Sequence, residues 1–399
     1  MPFTSFFSSS SITDSLAELQ MKFSEARSSL IRIRADRVRL MRTGWRPRVP
    51  GETKLIRSAE WRAEPGVGAS FSRESTTVDF DLETRFVPTE SGYRELVQKL
   101  DRARAEGKRA RVFLRGLELD EPRFALAGRP VCAAFFDLAL VLSRAPDAII
   151  VLPKTDGYLE ARFWAEVARS FEMSFGLGRD SLHLEIAIET LGGLVEAEEI
   201  LFELKDMAVA LLFDVRLARL DALRMESGQP SLPREDVAVD PWAGIEIASR
   251  VENLETLARR RGVRLDLRPE GRPVLDSGSS SFISLDSLHA KTSFAFSFLR
   301  EWYSGNAMPG GKDWNDFELA RALLWTAIHS GFLREENFEA WRDEFGSAPF
   351  ETGSACDAAI RTLDPLVRTA VFPDSAKPLA FSILLEREKM RSVSDRQLA

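Results

Sequence analysis

Three segments of this chain place arginine, lysine and carboxylate side chains where they could act together on one substrate. They read Arg115-Gly116-Leu117-Glu118-Leu119-Asp120-Glu121, Leu152-Pro153-Lys154-Thr155-Asp156-Gly157 and Ile186-Ala187-Ile188-Glu189-Thr190. Each comes at or just after an apolar run that reads as a buried strand, and each is followed by a helical pattern. Polar residues at strand ends are where α/β barrels place their chemistry. A carboxylate in such a position, Glu189, can give one hard oxygen ligand to Mg²⁺, which usually takes one or two protein carboxylates plus substrate oxygens. It can equally be a helix N-terminal carboxylate met by backbone N–H groups. The guanidinium of Arg115 suits a substrate carboxylate or a developing enolate oxygen, which it can meet with two donors. A structural pair with Asp120 or Glu121 is the alternative.

The elements that must hold these residues follow from periodicity. Strands are predicted at 76–80, 110–114, 148–152, 184–188, 208–213 and 263–267, with helices at 90–106, 135–143, 159–172, 197–205 and 245–261. Apolar strands alternating with helices at this spacing mean a parallel sheet covered on both faces. Before it, 16–41 is helical, with Arg27, Arg32, Arg34, Arg37, Arg39 and Arg42 between its apolar positions. Its arginines read as a solvated, salt-bridged face, a CoA-phosphate site being the lesser alternative. After it, helices are predicted at 294–302, 314–330, 337–345, 354–363 and 376–390, while 224–240 and 270–281 read as loops.

Composition narrows the function classes. A formal net charge of -7 argues against a general nucleic-acid binder, which needs clustered Lys and Arg for phosphates. Cys132 and Cys356 lie far apart, with no metal or disulfide spacing, and read as packing residues in a reducing compartment. His183, His289 and His329 have no metal spacing between them. No run approaches the ~18 apolar residues of a membrane span, and the first ten residues lack the pattern of a secretory signal. A cytoplasmic protein that engages neither membrane nor nucleic acid is expected; the sequence sets no oligomeric state.

In order and spacing these segments resemble the malate synthase family, which condenses acetyl-CoA with glyoxylate. Arg115-Gly116 resembles the family's Arg-Gly-x-His-Leu, with Glu118 where the histidine stands. Pro153-Lys154 and Leu159-Glu160-Ala161-Arg162-Phe163-Trp164 resemble Pro-Lys-x-x-x-x-Leu-Glu-Ala-Arg-x-Trp, a scaffold in which Glu160 and Arg162 are expected to pair locally. Ile188-Glu189-Thr190 resembles the Ile-Glu-Thr whose glutamate is a magnesium ligand. Trp302-Tyr303-Ser304-Gly305-Asn306 resembles Trp-x-x-Gly-Asn. Counting back from Glu318, Arg321 and Trp325 places Asp313 on the aspartate that takes a proton from the acetyl-CoA methyl; a helix N-cap is its alternative, and Asp316 a rival for either role. The extended lead-in that precedes the family's barrel is expected from Pro50 to Trp61.

The resemblance implies a TIM-type (β/α)8-like barrel over 76–284, an N-terminal helical extension over 1–75 and a C-terminal helical domain over 285–399. It implies Mg²⁺ as cofactor, acetyl-CoA and glyoxylate as substrates, Glu189 as metal ligand, Arg115 as enolate stabiliser and Asp313 as base. The family's second ligand position holds Leu217; Asp214, three residues earlier, is the expected replacement, and Asp221 lies four later. Two family segments, Asp-Phe-Glu-Asp-Ser and Gly-Thr-Trp-Val-Ala-His-Pro, are not found, so the barrel is expected to lack βα units. The expected activity is malate synthase-like condensation. The alternative is a catalytically impaired member that binds a CoA-like ligand or a protein partner.

Overall fold

The computed structural model describes residues 10–65, 77–126, 128–226, 247–268, 283–306, 308–346 and 353–398. Two compact units divide the chain, Met1–Ala218 with Glu246–Val274, and Arg219–Ile245 with Leu275–Ala399. In chain order the first unit runs α1 (Ser10–Arg42), α2 (Lys54–Ser58), β1 (Thr77–Asp81), α3 (Glu90–Ala105), β2 (Arg109–Phe113), β3 (Asp120–Leu126), β4 (Arg129–Cys132) and α4 (Ala133–Arg144). It continues with β5 (Ile149–Leu152), α5 (Tyr158–Ser174), β6 (His183–Ile188), α6 (Leu191–Val195), α7 (Ala197–Glu203) and β7 (Ala208–Asp214). After α8 (Val215–Glu226), which carries the chain into the second unit, it ends on α9 (Ile247–Arg261) and β8 (Arg264–Arg268).

Six parallel strands form one sheet in the order β1-β2-β5-β6-β7-β8, and helices follow the strands as in an α/β barrel. All six predicted strands are present. The β3–β4 hairpin is not predicted, because Pro122, Gly128 and Pro130 break its alternation. The short α2, preceded by a tight turn at Gly51–Thr53, replaces the extended lead-in expected there. Of the loops expected at 224–240 and 270–281, residues 224–226 instead close α8, and the rest lies outside the described residues.

The strands read as unbroken apolar runs because both faces are covered, yet the inward face is not wholly apolar. Phe113, Val151, Ala187 and Leu212 pack there as one cluster. Two residues back along the strands the same face carries charge. Arg111 on β2 donates from Nε to Glu185 on β6 at 2.7 Å and reaches Asp79 on β1 and Asp266 on β8, each at 3.4 Å. Arg264 on β8 donates to Glu185 at 2.7 Å and to Asp266 at 2.8 Å. Arg268, also on β8, lies over the Phe113 ring at 4.1 Å and reaches Asp79 of β1 at 3.4 Å. Ion pairs thus tie the first strand of the sheet to the last.

Helix α1 belongs to this unit. Phe23 packs edge-on against Phe135 of α4 and Phe163 of α5, so α1 joins the layer of helices that covers the sheet. In the second unit, α10 (Leu285–Ser304), α11 (Trp314–His329), α12 (Glu335–Phe345), α13 (Ala355–Arg368) and α14 (Lys377–Leu398) agree with the predicted helices. Trp302 and Trp314 meet edge-on within a core that includes Phe298 and Phe317. No described helix is long and apolar enough to cross a membrane.

Removing one partner of a buried ion pair strands the other, which costs about 3–5 kcal/mol. Glu185→Ala leaves Arg111 and Arg264 with Asp266 as their remaining shared acceptor, so urea denaturation should show a loss of up to about that size.

Candidate active site at the strand ends

The candidate site lies where β1, β2, β5, β6 and β7 end. Ile188 of β6 pairs in register with Phe213 of β7, so Glu189 and Asp214 are the next residues on neighbouring parallel strands, where spacing between strands is about 4.8 Å. The structure therefore brings these two predicted residues side by side. Burial pushes the Glu189 carboxyl up to about 7, and the negative charges of Glu83 and Asp214 add to the effect, against the opposing ammonium of Lys154. Asp214 is buried and is also held by the first turn of α8: Arg216 donates its amide to Oδ1 at 2.9 Å and Nη2 to Oδ2 at 2.6 Å. Arg216 Nε also reaches Oδ1 at 3.1 Å and Oδ2 at 3.2 Å, so each Asp214 oxygen meets two donors. Among the described residues no group of three or more His, Cys, Asp or Glu is gathered for a metal.

Lys154, expected to be scaffold, is the hub of the site. Its amide donates to Glu189 Oε2 at 3.0 Å, and its ammonium lies 2.9 Å from Glu118 Oε1 and 3.1 Å from Glu83 Oε1. Its backbone is left-handed at φ 50°, an arrangement that needs support in a non-glycine residue. Glu83, just beyond β1, also accepts from the Gly116 amide at 2.9 Å. Sequence reasoning missed Glu83, although Asp79-Phe80-Asp81-Leu82-Glu83 is a strand ending in carboxylates, the signal that singled out Glu189. An acidic strand end does therefore precede the Arg115 segment, in place of the gap expected there. Burial opposes ionisation of Glu118, but Lys154 and Arg34 outweigh it and hold its carboxyl far below the usual range.

The arginines of α1 are not simply solvated. Arg27, Arg34 and Arg37 fall on one helical face and reach the loops of the site. Arg27 donates to the Leu117 carbonyl at 2.6 Å, and Arg34 to the Lys154 carbonyl at 2.8 Å and to Glu160 at 2.6 Å. Arg37 donates to the Asp156 carbonyl at 2.7 Å and to Glu196 at 2.8 Å. Glu160 thus pairs with α1, and Arg162 pairs with Glu203 at 2.7 Å, rather than the two pairing with each other. The loops leave little room: a Cβ on Gly192 would lie 2.7 Å from the Asp156 carbonyl oxygen.

Arg115 occupies a closed network. Its Nε and Nη2 donate to the two Asp137 oxygens at 2.9 and 2.6 Å, its Nη1 to Glu121 at 2.9 Å, and Nη2 also to the Tyr93 hydroxyl at 2.7 Å. Tyr93 in turn donates to Glu121. The network joins α3, the β3–β4 hairpin and α4, and Arg115 is fully buried within it. The pairing with Glu121 is the structural alternative the sequence left open.

Asp313, in the second unit, is the N-cap of α11. Its Oδ1 accepts from the Asn315 amide at 2.9 Å and the Asp316 amide at 3.2 Å, and Asp316 Oδ2 accepts from the Asp313 amide at 3.1 Å. This is a reciprocal capping box. Within α11, Glu318 pairs with Arg321 at 2.6 Å and accepts from the Ala376 amide at 2.7 Å. Asp221 lies 3.7 Å from Arg224. The histidines make structural contacts: His183 with Arg109 at 2.7 Å, His289 with Glu344 at 3.2 Å, and His329 stacked on Trp325.

Residues 111–222 match the family model described as malate synthase, TIM barrel domain. Over that region the chain is similar to the malate synthase family. The malate synthase of Myxococcus xanthus is 25% identical over 240 residues, covering 49% of this chain and 44% of that protein. Malate synthase A of Escherichia coli is 33% identical over 106 residues, covering 25% of this chain and 20% of that protein. The matched region spans less than half the length of either relative. A Haloferax volcanii malate synthase solved as a magnesium/glyoxylate complex shares 12% identity at a TM-score of 0.34, over 79% of this chain and 96% of that one. The malate synthase match covers the strand ends that carry Arg115, Lys154, Glu189 and Asp214.

The raised carboxyl gives a pH test. With Glu189 at about 7 in the folded chain against 4.5 when unperturbed, the folded state binds the proton more tightly. That stabilisation is complete below about pH 4.5 and is lost as pH rises through 7, at up to about 1.4 kcal/mol per pH unit. In metal-free buffer, urea denaturation of the malate synthase-like chain between pH 5 and 8 should show a steeper decline than that of Glu189→Gln, which has no proton to lose.

Proposed function

We propose that this chain carries out malate synthase-type chemistry, the Mg²⁺-dependent condensation of acetyl-CoA with glyoxylate to malate and CoA. The observation that supports the reading is the Glu189–Asp214 pair. Two carboxylates end neighbouring strands, and Glu189 is pushed up to about 7 by burial among negative groups. Such a donor set fits a small hard cation, which needs one or two protein carboxylates and relieves the repulsion between them. Glu189 and Asp214 would hold Mg²⁺, whose chemistry when bound is Lewis-acid polarisation of the substrate's carbonyl oxygen.

The remaining roles fall to the chain's own side chains. Asp313 takes a proton from the thioester's methyl group as general base, and the methyl carbon then bonds to the aldehyde carbon. Water cleaves the thioester, giving malate and free CoA. Arg115 is assigned a positioning role in place of direct contact with the enolate, since its donors are engaged by Asp137, Glu121 and Tyr93. The acyl and aldehyde substrates rest on likeness to relatives named malate synthase.

A second reading, a non-catalytic member binding a CoA-like ligand or a protein, draws on a specific observation. Arg115 is sealed in its network, Arg216 clamps Asp214, and Asp313 caps its helix. The experiment that separates the readings is thiol release from acetyl-CoA with glyoxylate and Mg²⁺. Wild type should release CoA only with all three present, Asp313→Asn should lose about 10²–10⁴-fold, the usual contribution of a general base, and Glu189→Ala should fall to background. No release by a folded wild type would leave the second reading in place.

A further inference from the structure

Lys154 stands at the centre of the strand-end charges and acts on them by two routes. Through its backbone it donates to Glu189, one of the paired carboxylates, at 3.0 Å. Through its ammonium it engages Glu83 at 3.1 Å and Glu118 at 2.9 Å. Glu83 has its second oxygen on the Gly116 amide at 2.9 Å, so each of its oxygens meets a donor while its charge still acts on Glu189. The backbone route depends on a left-handed turn, φ 50°, at a residue with a long side chain. Arg34 supports that turn by donating to the Lys154 carbonyl at 2.8 Å.

We propose that Lys154 is a positioning residue that sets the cation affinity of the Glu189–Asp214 pair, its amide aiming Glu189 while its ammonium keeps Glu83 out of the ligand set. The inference rests on the reading of that pair as a metal site. Its physical basis is Coulombic. An ammonium beside a divalent-cation site repels the ion, and it also sequesters a third carboxylate that could otherwise join the ligands. Lys154 therefore holds the site to two carboxylates, leaving positions on the ion for substrate oxygens. Glu118, held by Arg34 at 3.3 Å as well as by Lys154, anchors the ammonium in that position.

The test is calorimetric titration of the full chain with MnCl₂ at pH 8, together with circular dichroism. Lys154→Met, which keeps side-chain length and removes the charge, should bind Mn²⁺ about ten-fold more tightly than wild type or better. Adding Glu83→Gln to that variant should return the affinity towards the wild-type value, which a general structural effect would not do. Lys154→Gly, suited to the left-handed backbone, should show the same tightening and serves if the methionine variant does not fold. If wild type binds Mn²⁺ through Glu189 but folded Lys154 variants bind no more tightly, the inference on Lys154 is overturned and the metal site stands. If neither wild type nor the Lys154 variants bind Mn²⁺, or if Glu189→Ala binds it unchanged, the metal reading itself fails.

Discussion

A carboxylate withdrawn from water costs several kcal/mol unless cations or hydrogen-bond donors meet it, and the first unit gathers many at one end of its sheet. Glu83, Glu118, Glu160, Glu189, Glu196 and Asp214 arrive there from different strands and loops. The surrounding architecture answers that charge. Lys154 enters from the end of β5, Arg34 and Arg37 from α1, and Arg216 from the first turn of α8. Without these cations the strand ends would repel one another. Burial, with the negative charges of Glu83 and Asp214 beside it, holds the Glu189 proton to about 7 against the Lys154 ammonium.

The same constraint explains the junction between β1 and β8. Arg111 and Arg268 extend from their strands across the inward face to Asp79, and Glu185 joins Arg111 to Arg264. A packed apolar layer, Phe113 to Leu212, lies alongside. Charged pairs are directional where apolar packing is not, so they fix which strand faces which. That assignment matters at the strand ends, because a slip of one residue in register would turn Glu189 or Asp214 to the other face.

Much of this was legible in the sequence. The six strands announce themselves as apolar runs, with one carboxylate just after β6 and one at the end of β7. The partners were not legible. Arg115 looks like a substrate-binding arginine until Asp137, 22 residues on, and Tyr93, 22 residues before, close around it. Lys154 reads as scaffold because nothing local reveals Glu83 and Glu118 converging on its ammonium. Asp313 has both a counting argument for catalysis and a local pattern, Asp313 to Asp316, that specifies a capping box. Short-range chemistry is written in neighbouring letters, whereas a network spanning four loops is fixed only when the sheet has formed.

The sequence distances spanned by α1 bear on how the chain is made. Arg27 meets its carbonyl partner 90 residues later, Arg34 meets the Lys154 carbonyl 120 residues later, and Arg37 meets Glu196 after 159. During synthesis α1 emerges before β1, β2 and β5, and so before any of these partners exists. Its arginines are then fully engaged only once the loop after β6 has left the ribosome. Contacts of such long sequence separation are slow to form, so the strand-end cluster is among the last parts of the first unit to assemble. A helix translated before the sheet is fastened only after it.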